Sequence, residues 1–348
     1  MSKLQVNTQQ VVGKLLKSLS SRNKDIIFSR FGLKNGKKET LESIGRKYGV
    51  TRERVRQIEE ATLTQLRQEV KTVQPQVQPY FDLAVSILED NGGVLKESEF
   101  FKEFSGNENP SAVNASLVLL LNLDQRFNRS ADADEMHSFW TLGDHYVEKA
   151  NQTLSVLKKM LEKHGQPVAE VELANFYKQG VKDGVSTKIL FSHVSLFKKI
   201  GKNIFNEIGL SHWPEINPKG VRDKAHLVLK RINKPYHFTE ITKLINEANF
   251  GNKKANVQTV HNELIKDKRF VLVGRGMYGL ANWGYKAGTV KDVLADILKN
   301  SSKPLSRQEI VTKVLAARFV KENTIFLNLQ DQKLFKKLDN GTYTVKEA

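Results

Sequence analysis

The hydrophobic pattern is clearest in residues 40–67, TLESIGRKYGVTRERVRQIEEATLTQLR. In the first part of this segment the hydrophobic residues recur at intervals of three and four: Leu41, Ile44 and Tyr48. This spacing predicts an amphipathic helix that ends at Gly49. Thr51 follows at a position suited to capping a second helix, and Glu53 lies near the positive end of that helix. We therefore predict two helices joined by a tight turn around Val50.

The second of these helices has one hydrophobic side and one charged side. At about 100° per residue, the hydrophobic side consists of Val55, Ile58, Thr62 and Leu66. The opposite side consists of Glu53, Arg56, Gln57 and Glu60, with Arg52 and Arg54 at its borders. Arginine pairs with guanine edges, glutamine pairs with adenine, and a carboxylate accepts a hydrogen bond from cytosine, so this side suits the DNA major groove. A solvated helix surface with salt bridges has the same composition, and the tight turn favours the DNA interpretation.

Four further segments repeat a second hydrophobic pattern: 80–148, 150–217, 219–286 and 288–348. The third is the clearest, with helical spacing in VRDKAHLVLKRI, HFTEITKLINEA and NVQTVHNELIKD and two strands around a glycine turn in RFVLVGRGMYGLANW. Three helices and a hairpin predict a winged helix-turn-helix. The first and fourth segments show the same order, whereas the hairpin of the second is compressed into LFKKIGKNIFNEIGL. The repeat is longer than that of a solenoid, which favours tandem small domains.

The third helix of segment 219–286 is the second candidate binding element. Its expected hydrophobic stripe consists of Val257, Val260, Leu264 and Ile265. Polar residues then face outward or precede the helix: Lys253, Lys254, Gln258, His261 and Asn262. Arg275, at the tip of the predicted hairpin, is a candidate for phosphate or minor-groove contact or is simply exposed. His261 is expected to be an ordinary surface residue rather than a ligand.

The hairpin of the third segment also contains GRGMYG, residues 274–279, which satisfies a dinucleotide-binding pattern. That pattern functions only where a helix begins at the glycines, because the helix amide groups bind the pyrophosphate. The residues that follow continue as a strand in this sequence. We therefore expect the glycines to form a hairpin turn rather than a nucleotide site.

Charge changes along the chain and sharpens the domain boundaries. The net charge of +17 favours a polyanionic partner, and it divides into +9 for residues 1–71, −8 for 72–149, +3 for 150–216 and +13 for 217–348. Between the first two blocks lies VQPQVQP, residues 73–79, which carries two prolines and no charge. This composition predicts an extended Pro/Gln linker.

Several classes of protein are disfavoured by the sequence. The chain has no cysteine, which excludes disulfides, thiolate zinc sites and cysteine nucleophiles. It shows no HExxH motif, phosphate loop or catalytic triad pattern, so we expect no metal, no cofactor, no small-molecule substrate and no enzymatic activity. No hydrophobic run approaches the roughly 18 residues of a membrane helix, and no signal peptide is visible at MSKLQVNTQQ, so we expect a cytoplasmic location and no membrane partner.

Residues 13–70 closely resemble region 4 of the primary, sigma-70 class bacterial sigma factors. The resemblance is carried by LSSRNKDIIFSRFGL followed by TLESIGRKYGVTRERVRQIEEATLTQLR. Region 4 binds the promoter −35 element and the RNA polymerase flap, which implies base contacts by Arg52, Glu53, Arg56 and Gln57 and phosphate contacts by Arg30 and Arg54. Thr51 joins this expected DNA-binding set. Nothing upstream resembles the sigma module that opens the −10 element, so a complete initiation factor is not expected.

The third repeat, and less closely the fourth, resembles the HARE helix-turn-helix domain, a winged helix found in the delta subunit of some bacterial RNA polymerases and in restriction and chromatin proteins. The resemblance is carried by HFTEITKLI, TVHNEL and DKRFVLVGRGMYGLANW. It implies modules that bind DNA or protein. The acidic unit 80–148 would be repelled by phosphate, so we expect it to contact polymerase, to mask the basic domains or to act as a spacer.

Together these patterns predict a mainly α fold with an N-terminal helix-turn-helix bundle in residues 1–72, followed by tandem winged helix-turn-helix (α+β) domains. The expected function is that of a DNA-binding transcription regulator that recognises a −35-like duplex. Double-stranded DNA is the expected partner, RNA polymerase core is a second candidate, and the location would be the nucleoid. Two alternatives are a polymerase accessory or nucleoid protein without sequence preference and a subunit of a DNA-processing or restriction system.

Overall fold

The computed structural model describes residues 7–181, 184–251, 253–286 and 288–346. The chain forms two compact units. The first runs to Gly201 and includes Ile208–Ser211, and the second contains Lys202–Glu207 and the residues from His212 onward. Helices dominate both units and are accompanied by small sheets, so the prediction of a mainly helical fold is confirmed.

The N-terminal helices form the predicted helix-turn-helix. They are α1 (Thr8–Leu15), α2 (Ser21–Phe31), α3 (Leu41–Tyr48) and α4 (Arg52–Thr72). The Thr51 hydroxyl accepts a hydrogen bond from the Arg54 amide at 3.2 Å, which confirms Thr51 as the N-cap of α4. The helix α3 ends at Gly49, whose φ of +64° is a left-handed conformation that favours glycine. Ile44 and Val55 are fully buried, and they meet the fully buried Ile26 of α2.

The turn between α3 and α4 depends on a second glycine that lies inside α3. A Cβ atom built on Gly45 would lie 2.6 Å from the carbonyl oxygen of Val50. That oxygen belongs to the backbone of the turn and cannot rotate away, so the two helices approach this closely only because position 45 has no side chain.

Residues 73–79 do not form the extended linker that the sequence predicted. The helix α5 (Gln74–Asp90) begins one residue after Val73 and includes both prolines. Pro75 lies in the first turn, where a missing N–H removes no intrahelical hydrogen bond. Val77 is fully buried in the core of the first unit, so side-chain packing outweighs the helix-breaking tendency of Pro79. The linker prediction is therefore wrong.

The rest of the chain forms four repeats: the first three have the order helix, strand, two helices and two strands, and the fourth lacks the first strand. The first repeat contains α5, β1 (Val94–Lys96), α6 (Glu97–Ser105), α7 (Ala112–Asn122), β2 (Asn128–Ser130) and β3 (Phe139–Thr141). The second contains α8 (Asp144–His164), β4 (Val168–Ala169), α9 (Leu173–Lys178), α10 (Thr187–Leu196), β5 (Ile200–Lys202) and β6 (Glu207–Leu210). The third contains α11 (Val221–Ile232), β7 (Tyr236–His237), α12 (Phe238–Glu247), α13 (Val257–Lys266), β8 (Phe270–Gly274) and β9 (Met277–Leu280). The fourth contains α14 (Val290–Lys299), α15 (Arg307–Ala317), α16 (Glu322–Leu329), β10 (Phe335–Lys337) and β11 (Tyr343–Val345).

The sheets of the repeats share one topology. The last strand of each of the first three repeats lies between the other two, in the orders β1-β3-β2, β4-β6-β5 and β7-β9-β8. In the fourth repeat β10 pairs with β11, and an isolated bridge from Leu305 to Tyr343 stands where the other repeats have their first strand. The four segments are therefore variants of one supersecondary unit.

One hydrophobic core joins the N-terminal helices to the first repeat. It extends from Val11 in α1 to Trp140 in β3 and crosses residues 73–79. The helix α7 supplies much of it, because every residue from Asn114 to Leu121 is buried. The Thr8 hydroxyl of α1 donates a hydrogen bond to the Val113 carbonyl at 3.1 Å. The third helix of the first repeat is thus enclosed by protein.

The loop between β2 and β3 of the first repeat is bound to the second repeat. The His137 amide donates to the Leu196 carbonyl at 2.8 Å, and the Lys198 amide donates to the Glu135 carbonyl at 2.9 Å. The Lys198 ammonium forms an ion pair with Asp132 at 2.5 Å. These bonds fix the first two repeats to each other within the first unit.

In the third repeat, the predicted hydrophobic stripe of α13 is correct for two of its four residues. Val260 and Leu264 are buried, whereas Val257 is 41% exposed and Ile265 is 62% exposed. The helix packs through one i, i+4 pair against α11 and α12. Val257 lies at the first residue of the helix, and Ile265 is rotated about 100° from Leu264. The assignment of both residues to the inner face is therefore wrong.

Candidate nucleic-acid interface

The first two turns of α4 present the predicted base-contacting residues to solvent. All four are exposed: Arg52, Glu53, Arg56 and Gln57. On the other side of the same helix Val55 and Leu66 are fully buried and Thr62 is 1% exposed, while Ile58 is partly buried. The division into a buried side and an exposed side is the one that the sequence predicted. It places two arginines, a carboxylate and an amide side by side on one convex surface.

Arg56 is the centre of an ion-pair network on this surface. Its Nη2 lies 2.8 Å from Glu53 Oε1, and its Nε lies 3.1 Å from each Glu53 oxygen. Its Nη1 lies 3.1 Å from Glu60 Oε2. The hydrogen bond from Arg56 holds the pKa of the Glu53 carboxyl below its ordinary value. Because all three side chains are more than half exposed, water screens these attractions and the network can open at little cost.

Arg54 and Thr51 border the same surface. The Arg54 Nη1 donates to Gln57 Oε1 at 3.1 Å, so Gln57 is oriented by its neighbour. Thr51 is exposed, and its hydroxyl oxygen is engaged in the cap of α4. The Arg54 side chain is exposed to solvent.

Arg30 occupies a different environment from the other predicted contacts. Its Nε lies 3.0 Å from Glu59 Oε2, and its Nη1 donates to the Glu39 carbonyl at 3.1 Å. The side chain is 32% exposed and the Glu59 side chain is 17% exposed. These bonds tie α2 to α4 and to the chain entering α3. Arg30 therefore holds the helix-turn-helix together, and a phosphate contact would require both bonds to break.

A second structural contact, which the sequence did not predict, holds α3 on α2. The Lys47 ammonium lies 2.6 Å from Asp25 Oδ2, and the Tyr48 hydroxyl donates to the same oxygen. The hydrogen bonds from Lys47 and Tyr48 lower the pKa of Asp25. Asp25 lies inside α2, and no hydrophobic period marks it, so only the folded structure shows this contact.

The third repeat presents a smaller polar surface in the second unit. Lys253 and Lys254 are exposed immediately before α13, and Gln258 and Asn262 are exposed on the helix, where the Gln258 Nε2 donates to Asn262 Oδ1 at 3.1 Å. Arg275 is exposed between β8 and β9, and Gly276 beside it has a φ of +68°. Residues 274–279 therefore form the predicted hairpin turn.

His261 differs from the ordinary surface residue that we expected. Its ring stacks on Phe238 with a centroid distance of 4.2 Å and an interplanar angle of 18°. The Tyr278 ring meets it edge-on at 6.0 Å. His261 thus joins α13 to the start of α12, and its aromatic contacts are part of the packing of the third repeat.

Within residues 7–181, 184–251, 253–286 and 288–346, no three His, Asp or Glu side chains stand together in a way that could hold a metal ion. Over the same ranges, no helix combines the length and the apolar character needed to cross a membrane.

Residues 15–68 form a sigma-70 region 4 domain, because they match the family model described as "Sigma-70, region 4". The same part of the chain is similar to the RNA polymerase sigma factor SigA of Nostoc sp. (strain PCC 7120 / SAG 25.82 / UTEX 2576), with 52% identity over 54 residues, or 16% of this chain and 14% of SigA. SigA of Listeria monocytogenes is 49% identical over 53 residues, 15% of this chain and 14% of that protein. SigA1 of Synechococcus elongatus is 49% identical over 53 residues, 15% of this chain and 13% of that protein. The chain thus spans about one seventh of the length of these curated relatives.

Proposed function

We propose that this protein is a DNA-binding transcription regulator whose region 4 domain recognises a promoter −35-like duplex through the exposed side of α4. The observation that carries the proposal is the exposure of Arg52, Glu53, Arg56 and Gln57 on the first two turns of a helix whose other side is buried. A helix of about 10–12 Å diameter fits the major groove, where these side-chain types discriminate bases. Arg54 would hold the adjacent phosphate.

The repeated units are proposed to be tandem winged helix-turn-helix modules. The order of elements and the central position of the last strand support this assignment. In the third repeat, the HARE-like one, α13 would be the helix that contacts a partner, and the β8–β9 hairpin would be the wing with Arg275 at its tip. The charge of +13 over residues 217–348 supports duplex DNA as the partner of this unit.

The first repeat is proposed to connect modules rather than to bind DNA. Its third helix, α7, is enclosed by the N-terminal helices, and the loop of its hairpin is bonded to the second repeat. Residues 72–149 also carry a net charge of −8, which would be repelled by phosphate. The predicted base-contacting side chains on the first two turns of α4 remain exposed. The acidic repeat would therefore support the region 4 domain without masking it.

RNA polymerase core is the proposed protein partner, since the curated relatives of residues 15–68 are named RNA polymerase sigma factors. The chain would act at the nucleoid in the cytoplasm, without enzymatic activity, a membrane partner or a small-molecule substrate. The rival function is that of a nucleoid or polymerase accessory protein that binds DNA without sequence preference. The net charge of +17 favours this rival, because phosphate attraction alone supplies nonspecific affinity.

Selection of duplexes from a randomised pool by the full chain separates the two functions. The proposed function predicts enrichment of one motif, and competition should show that the motif binds at least about a thousandfold more tightly than scrambled DNA. A pool that stays random after repeated rounds, together with steeply salt-dependent binding, would support the nonspecific rival and refute the proposal.

A further inference from the structure

Glu60 lies on the exposed surface of α4 but belongs to none of the base or phosphate contacts considered above. It follows Glu53 by seven residues, which is about two helical turns, so both carboxylates stand on the same side of the helix. Arg56 lies between them and donates to both, at 2.8 Å and 3.1 Å for the two closest contacts. Glu60 is the most exposed of the three, with 69% of its side chain accessible.

We propose that Glu60 determines specificity by holding Arg56 away from phosphates wherever Arg56 does not find a guanine. This inference rests on the proposed function of the region 4 domain. Glu60 is then a positioning residue: it acts through Arg56 and contacts no base itself.

Arg56 already uses part of its set of hydrogen-bond donors on the two carboxylates. Arginine has five N–H groups, and the network uses three of them, one each on Nε, Nη2 and Nη1. To place Nε, or the bonded N–H of Nη1 or Nη2, on a base edge, the guanidinium must leave at least one carboxylate. A guanine edge replaces the lost bonds with two parallel hydrogen bonds, whereas another base replaces them only in part. The carboxylates therefore weaken the noncognate complex more than the cognate one.

Glu53 and Glu60 differ in what remains once Arg56 has moved. Glu53 is in the first turn of α4, where the positive end of the helix stabilises its charge. Glu60 lies in the third turn, beyond the reach of that effect. The Glu60 carboxylate lacks that stabilisation and depends more on Arg56, so it competes more strongly with DNA phosphates for the guanidinium.

The experiment measures binding of the full chain to two duplexes: the sequence that wild type selects from a randomised pool and a scrambled version of it. The variant is Glu60→Gln, and the charge-matched control is Glu69→Gln, which removes the same charge from the same helix nine residues further on. We expect Glu60→Gln to raise affinity for the scrambled duplex about two- to fivefold and to change affinity for the selected duplex less. Its nonspecific binding should also depend more steeply on salt, by about one unit of slope, because the freed Arg56 gains a phosphate contact.

A second pair of variants tests whether Glu60 acts through Arg56. In an Arg56→Ala background, Glu60→Gln should no longer change the ratio of the two affinities. Equal gains on both duplexes, matched by Glu69→Gln, would mean that only net charge matters and would overturn the inference. A loss confined to the selected duplex would overturn it as well, because Glu60 would then be a direct base contact. If wild type selects no sequence, the proposed function fails first and the inference falls with it.

Discussion

At the scale of single residues, the helix-turn-helix depends on positions whose importance is visible only in three dimensions. Gly49 could be identified from the sequence because it ends a hydrophobic period. Gly45 could not be, since it lies inside a helix where glycine normally costs stability. Its role comes from the 2.6 Å approach of the Val50 carbonyl oxygen to the place where a Cβ would stand.

Two glycine-to-alanine substitutions test this distinction by thermal or denaturant unfolding of the full chain. Gly45→Ala should destabilise the protein by about 1–3 kcal/mol, because the methyl group forces the turn apart. Gly13→Ala is the matched control. Gly13 also lies inside a helix, and among the described residues no atom beyond its chain neighbours and its own helix backbone lies within 4 Å of its Cβ position. This variant should gain about 0.5–1 kcal/mol from reduced freedom of the unfolded chain. An equal response of the two variants would refute the steric explanation.

At the scale of secondary-structure elements, burial decides which helices can meet a partner. The sequence predicted α3 and α4 with their inner and outer sides, because a regular period marks both. It did not predict that residues 73–79 would join a helix, since the contacts of Val77 are made with distant parts of the chain. The uninterrupted run LVLLL in α7 was a signal that this helix is enclosed on all sides. Contacts between elements, such as the ion pair of Arg30 with Glu59, cannot be predicted from a hydrophobic period.

The packing of α10 against α8 contains a buried histidine. His193 is 2% exposed, and its Nδ1 lies 3.0 Å from the Thr153 hydroxyl, which itself donates to the Lys149 carbonyl. Nδ1 must therefore carry the proton, which leaves Nε2 without a partner among the described residues. Burial lowers the pKa of His193 to about 4.

Because His193 is buried in its neutral form, we expect the protein to lose stability in mild acid. Below the ordinary pKa of 6.5 the unfolded chain binds a proton that the folded chain does not, so the stability contributed by neutral His193 should be lost between pH 6.5 and about pH 4. The contribution is about 3 kcal/mol for a shift of this size. Unfolding measured from pH 7 to pH 4 should show it in wild type, and a His193→Gln variant should lose less stability over that range. Identical pH profiles would contradict the assignment.

At the scale of the whole molecule, net charge and packing differ from one part of the chain to the next. Residues 1–71 and 217–348 are basic, while the first repeat is acidic; its third helix is bonded to the N-terminal helices and its hairpin loop to the second repeat. The sequence predicted this alternation of charge and the repeated units. It could not predict which modules use their third helix for packing, because that depends on contacts between repeats.

The most direct test of the account compares Arg56→Ala with Arg54→Ala on the selected and the scrambled duplex over a range of salt concentrations. If α4 recognises sequence, Arg56→Ala should weaken binding to the selected duplex about tenfold to a hundredfold and leave scrambled DNA nearly unaffected. Arg54→Ala should weaken both duplexes alike and lower the salt slope by about one. Equal losses on both duplexes for Arg56→Ala would contradict base recognition by this surface.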